Sequence, residues 1–193
     1  MLRARSEDRN RIVEILLQAF EHNKSVNYIC GNGSNRYQRI RLLIEYAFNV
    51  CNKYGKVFIS GDRNACALVL FPDKKSTSIR SLAWDSELAL KVIGLNNIFK
   101  IFKRETQIKK HHPLAPFYYL WFIGVQPSRH GIGIGSSLLR EILDDAAQMN
   151  RPIYLETSTV ENLIWYKRFG FKIYGEMDFG YKFFLLKTNA TNE

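Results

Sequence analysis

Apolar positions along this chain follow two periods, and the switches between them mark its elements. Ile12, Val13, Leu16, Ala19 and Phe20 recur at helical spacing, so residues 7–22 are expected to form an amphipathic helix, with Ser6 or Asp8 available as N-caps. The stretch NKSVNYICGNGSN (23–35) is polar and rich in Gly and Asn, which predicts a loop. Ile40, Leu43, Ile44 and Ala47 restore the helical period over 37–53. KVFIS and ACALVLF then read as two strands joined by GDRN, a hairpin turn in which Gly61 and Asn64 supply the unusual dihedrals. Pro72 ends the hairpin, and 79–104 reads as one or two helices through Leu82, Leu88, Leu90, Val92, Ile93, Ile98 and Phe99.

KKHHPLAP breaks that pattern, and FYYLWFIGV follows as an uninterrupted apolar and aromatic run, the composition of a strand covered on both faces. A glycine-rich stretch, HGIGIG, leads into a helix carrying Leu138, Leu139, Ile142, Leu143 and Ala146. PIYLETS is a short strand and ENLIWYKRF a short helix. FKIYGE and GYKFFLLK are two further strands suited to antiparallel pairing. No repeat or linker divides the chain, so the expectation is one domain over 1–193.

The junction from strand to glycines to helix is the most informative stretch. The first N–H groups of a helix have no partner within it, and the helix dipole adds partial positive charge there. Glycines let an anion approach those amides, here about Ile132 through Ser136, so the stretch reads as a phosphate cradle. The lysine of a P-loop is missing. A dinucleotide-binding reading fits Gly131, Gly133 and Ser136 by offset, with Glu156 as the ribose acid. Fewer than forty residues follow Glu156, however, too few for the βα units such a fold needs.

Composition changes the picture little. Of 193 residues 46% are hydrophobic and 24% charged, an ordinary globular balance. No run is long enough to span a membrane, and the first twenty residues are charged too early for a secretory signal. Cys30, Cys51 and Cys66 lack metal or redox spacing, which points to reduced thiols, no metal site and a cytoplasmic location. The net charge of +10 favours anionic partners. Its basic residues gather at Arg36, Arg39 and Arg41, and at Lys100, Lys103, Arg104, Lys109 and Lys110.

VQPSRHGIGIGSSLL resembles motif A of the GCN5-related N-acetyltransferase (GNAT) superfamily, with signature Q/R-x-x-G-x-G/A; His130, Gly133 and Gly135 fall at its three positions, His replacing the usual Gln or Arg. YLETSTVENLIWYKRFGFKIYGE resembles motif B of the same family. The two together, over 117–176, are most similar to the puromycin N-acetyltransferase branch; over the first 110 residues only the order of elements agrees.

The resemblance implies an α/β (α+β) GNAT fold: a central mixed, mostly antiparallel sheet with splayed central strands and helices on both faces. It implies a transferase, an acyltransferase that uses acetyl-CoA and passes acetyl directly to an amine. The pyrophosphate would lie on the 131–136 turn (Gly131, Ile132, Gly133, Ile134, Gly135, Ser136), with His130 beside it. The pantetheine arm would pair with main chain near Ile123 and Val125, the Val125 amide facing the acetyl carbonyl. Asn162 would bind cofactor backbone and Tyr166 would act as general acid toward the CoA thiolate.

Glu156 is the candidate base, or else a substrate or backbone ligand. Gly124 suits a local bulge, or simple packing beside Trp121. Tyr28 is a substrate-wall candidate by family topology. His111 and His112 read as a solvated basic turn, and Trp84 as a core or surface aromatic. The expected acceptor is a small-molecule amine, with neither membrane nor nucleic acid as partner and a monomer or homodimer as the assembly. The alternative is a basic module of this fold that engages RNA or ribosomal protein.

Overall fold

The structure is a computed structural model that describes residues 1–94 and 97–189. Leu95 and Asn96, inside the span expected to be helical, lie outside the described residues. Helix α1 (Arg9–Phe20) buries Ile12, Val13, Ile15, Leu16 and Leu17 along one stripe. A 3-10 turn at Ser6–Asp8 precedes it. Neither candidate cap accepts a backbone N–H of the helix through its side chain. The buried Asp8 carboxylate instead accepts the Arg5 N–H at 2.9 Å and pairs with Arg63 at 3.2 Å.

The expected loop over 23–35 contains a helix, α2 (Lys24–Cys30). Asn23 caps it by accepting the Val26 N–H at 3.1 Å, and Val26 and Cys30 bury at helical spacing. Gly31, at φ 67°, ends it. Helix α3 (Arg36–Tyr54) runs directly into strand β2 (Gly55–Ile59), which pairs antiparallel with β3 (Ala65–Leu70). The left-handed residue of their turn is Arg63, at φ 57°, and not Gly61 or Asn64. The Ser60 hydroxyl accepts the Asn64 and Ala65 amides at 3.1 and 2.9 Å, and Arg11 holds the Arg63 carbonyl at 3.0 Å, which together fix that conformation. A two-residue strand, β1 (Leu2–Arg3), adds to the edge of β2; it is too short to leave a periodic signal.

The 79–109 region divides into α4 (Ile79–Glu87), a π-helical turn (Leu88–Ile93) and α5 (Ile98–Lys109). Strand β4 (Tyr118–Val125), α6 (Ile134–Gln148), β5 (Ile153–Thr157), α7 (Glu161–Arg168), β6 (Lys172–Asp178) and β7 (Lys182–Lys187) complete the described chain. The sheet order is β1-β2-β3-β4-β5-β7-β6, with β4 and β5 the parallel pair and every other pair antiparallel. Helices cover both faces: α1 and α3 pack on one, α6 and α7 on the other. The sequence expectation for architecture holds, and this topology is not that of a dinucleotide fold.

Strand β4 carries one more residue than β3 opposite it. Leu68 faces Phe122 and Val69 faces Leu120, which leaves Trp121 without a partner. This bulge shifts the strand's sidedness. Before it, Tyr118 and Leu120 face α6 while Tyr119 faces α1 and α3. Trp121 and Phe122 then share the α1/α3 face, and Ile123 and Val125 return to the α6 side. The bulge is therefore at Trp121, not at Gly124. A Cβ on Gly124 would sit 2.9 Å from Leu16 Cδ2 and 3.2 Å from Ala19 Cβ, so that glycine serves close packing of α1 on the strand.

Candidate active site

Strands β4 and β5 part soon after they meet. Among the described residues they pair only at Tyr118–Ile153 and Tyr119–Tyr154, while β5 continues against β7. Strand geometry fixes what β4 shows to the opening. The Gln126 N–H bonds Asn64 O at 2.8 Å, toward β3. Main-chain groups alternate in direction along a strand, so the N–H and C=O of Val125 and Ile123 point away from β3, into the gap. The His130 ring reaches the Val125 carbonyl at 3.0 Å, on the same side. His130 thus ties the turn back to the strand while its ring stays exposed.

Each glycine of the turn has its own reason. Gly131 and Gly133 have φ of 81° and 87°, the left-handed region, and a Cβ on either would meet nothing within 4 Å. Gly135 is helical, and its Cβ would lie 3.0 Å from Val125 Cγ2 and 3.9 Å from Trp165 Cζ2. Two glycines shape the backbone, and the third lets α6 sit against β4. The His130 N–H bonds Pro127 O and the Ser137 N–H bonds Gly133 O. Among the described residues no protein acceptor takes the amides between them, from Gly131 to Ser136. Consecutive free N–H groups at a helix N-terminus, beside a strand with exposed main chain, fit a diphosphate followed by an amide-bearing arm.

Helix α7 braces this turn. The Trp165 indole donates to Ser136 Oγ at 3.0 Å. Tyr166 is buried against Trp165 and Phe171, with ring centroids 4.8 and 5.3 Å away. Burial raises its phenol above the ordinary value, so it is a protonated donor at neutral pH. Asn162, four residues earlier on α7, is exposed.

Glu156 occupies the other wall. It lies in β5 with its side chain 7% exposed, and both carboxylate oxygens are held. The Tyr119 hydroxyl donates to Oε2 at 2.6 Å, and His112 Nε2 lies 2.8 Å from Oε1. With the carboxylate ionised, that nitrogen carries the proton and donates. Burial first, then the Glu156 charge, keeps the Tyr119 phenol well above its usual value. The reading of residues 111 and 112 as a solvated turn fails for His112, which packs on Phe117 and Tyr119 at 5.2 and 5.3 Å. His111 conforms: it is exposed and contacts Gln107 O at 3.0 Å. His112 and Tyr119 stand 44 and 37 residues from Glu156 in sequence, and neither carries a motif that would have joined them to it.

Other candidates fall elsewhere. Tyr28 packs on Phe179 and Tyr181 at 6.2 and 5.5 Å, under Lys100 at 4.1 Å. Arg104, counted among the surface basic residues, is 4% exposed and bonds Ser25 and Tyr181 at 2.5 and 3.2 Å. Arg36 and Arg41 pair with Glu21 and Glu14. The three cysteines are buried and free; burial pushes the Cys30 thiol up to about 12 and raises the other two. None is a ready nucleophile.

Against known proteins, residues 91–173 match the family described as the acetyltransferase (GNAT) domain. A solved structure described as histone acetyltransferase HPA2 and related acetyltransferase, from Corynebacterium glutamicum, superposes with a TM-score of 0.73 at 20% identity, covering 100% of this chain and 96% of that one. The C-terminal condensation domain of Ebony, solved with beta-alanyl-dopamine, gives 0.71 at 13% identity, covering 97% and 96%. Arylalkylamine N-acetyltransferase 2 from Aedes aegypti gives 0.64 at 14% identity, covering 99% and 98%. The match spans motif A and most of motif B, and the fold is shared over nearly the whole chain.

Proposed function

We propose, from the acetyltransferase (GNAT) domain that residues 91–173 carry, that this protein transfers acetyl from acetyl-CoA directly to the amine of a small molecule. The observation that carries the proposal is the unpartnered amide series from Gly131 to Ser136 beside the Ile123 main chain and the Val125 N–H, which point away from β3. Acetyl-CoA supplies an activated thioester. Gly131, Ile132, Gly133, Ile134, Gly135 and Ser136 would hold its diphosphate. Ile123 and Val125 would bond its pantetheine arm, and the Val125 N–H is the donor for an acyl oxygen. Asn162 would add a side-chain contact from α7.

Two side chains would manage protons. Glu156 takes one from the incoming ammonium, directly or through water. A carboxylate has about four lone-pair sites, so the Tyr119 and His112 bonds leave room for another. Tyr166 donates toward the departing sulfur. Because a thiol of pKa about 8.5 is a good leaving group, Tyr166→Phe is expected to lower kcat only about tenfold, near or below the lower end of acid-base effects. The acetyl-CoA KM should move less. A kcat equal to that of the unmutated protein, with chemistry rate-limiting, would remove Tyr166 from the mechanism.

The three cysteines are buried and lie outside both motifs in sequence, which agrees with direct transfer. Of the two basic clusters an RNA- or ribosomal-protein-binding module would use, Arg36, Arg41 and Arg104 have partners within the chain, whereas Lys103, Lys109 and Lys110 are exposed. Calorimetry with CoA tests the reading. Heat of binding is expected from CoA and acetyl-CoA and not from NAD, with release of a free thiol when an amine acceptor is added. No heat from CoA on folded protein would overturn it.

A further inference from the structure

Helix α5 has two faces, and only one is used by the fold. The inner face buries Ile101, Arg104 and Ile108; Arg104 bonds Ser25 of α2, and Ile108 packs on Phe183 and Leu185 of β7. The outer face carries side chains that a folded core would ordinarily bury. The apolar period over 79–104 counts Phe99 among its positions, yet Phe99 is 84% exposed and Phe102 71% exposed. At about 100° per residue, these two rings fall within one arc of roughly 120° together with Lys103, Lys109 and Lys110. The rings lie inside the arc and the lysines at its edges, Lys109 on one side, Lys103 and Lys110 on the other. All three lysines are exposed. Glu105, the one acid of the helix, lies outside the arc and pairs with Arg104.

We infer that this face of α5 docks on the surface of an anionic phospholipid bilayer. The inference does not depend on the acetyl-transfer reading, and it departs from the expectation that no membrane is a partner. No described helix is long and apolar enough to cross a membrane, so the contact is with one leaflet, the helix axis lying in the plane of the interface. The phenyl rings enter the boundary between headgroups and chains. The lysines, on flexible apolar stems, reach outward from the rings to lipid phosphates. The chain's net charge of +10 draws it to such a surface from a distance.

Charge and shape set the occupant. A second copy of this chain would bring three lysines against three, with no acid on either arc. Single-stranded RNA needs aromatic platforms in a basic groove. Here the rings stand on a convex helix, and the exposed residues to either side of it in sequence are aliphatic: Leu90 before α5 and Leu114 after it. Aliphatic side chains do not stack on bases, whereas acyl chains accept them.

The test is co-sedimentation of the full chain with vesicles of phosphatidylglycerol and phosphatidylcholine in equal parts, against phosphatidylcholine alone. Binding is expected to be at least about tenfold tighter to the mixed vesicles, and to weaken as salt is added. Phe99→Ser with Phe102→Ser should weaken it at least about tenfold, with the circular dichroism spectrum unchanged, since both rings are exposed in the folded chain. Lys103→Gln, Lys109→Gln and Lys110→Gln together should weaken it about a hundredfold, at about fivefold for each lysine. Failure to sediment with the mixed vesicles overturns the inference. So does undiminished binding by the phenylalanine variant, which would reduce the contact to unspecific charge. A dimer in size-exclusion chromatography that the phenylalanine variant dissolves, or oligouridylate binding that the same variant loses, would also overturn it by assigning the face to another partner. Each of these results leaves the coenzyme reading untouched.

Discussion

Glu156→Gln is expected to lower kcat about a thousandfold, within the range for loss of a positioned proton acceptor, with CoA binding unchanged. The amide has the carboxylate's shape, so packing against β7 is kept. Its oxygen can still accept from Tyr119 or His112, but the group no longer takes a proton from an ammonium. The side chain is 7% exposed, so bulk water replaces the lost function poorly. Steady-state kcat, with the CoA-binding heat as a control, checks the claim. A kcat within threefold of the unmutated protein would leave Glu156 a structural ligand of Tyr119 and His112.

Gly55→Ala is expected to cost about 3 kcal/mol or more, toward the upper end for overpacking. An added Cβ would lie 2.0 Å from the Val69 carbonyl oxygen and 2.9 Å from Leu70 Cα. These are backbone atoms in the β2–β3 ladder, where Gly55 faces Leu70, so no side-chain rotation relieves the clash. Helix α3 joins the strand at this residue without a loop, so the helix end must shift with it. For a chain of this length the melting temperature should fall by about 10 °C, at 2–4 °C per kcal/mol. Thermal unfolding by circular dichroism measures it, and a fall under 2 °C would show that the ladder yields more easily than its geometry implies.

Elements with long periodic or uninterrupted apolar patterns were legible in the sequence, as α1, α3, β4 and α6 demonstrate. Helix α2 was not. Its seven residues carry too few periods, and its Asn cap resembles the loop residues around it. The turn at Arg63 was missed because side-chain hydrogen bonds, not residue type, force its dihedral. In the site, the glycine turn could be read because a local stretch of chain builds it. The His112–Glu156–Tyr119 contact could not, since it joins β4, β5 and the turn before β4, whose residues stand 37 and 44 positions from Glu156. The bulge left no mark either. It is a difference in length between two strands, not a property of either.

That one extra residue has a consequence for how this protein can change. It reverses sidedness midway along β4, so upstream and downstream positions answer to different demands. Side chains at 119 and 121 pack toward α1 and α3, whereas those at 123 and 125 pack toward α6, so substitutions at the two pairs of positions press on different halves of the core.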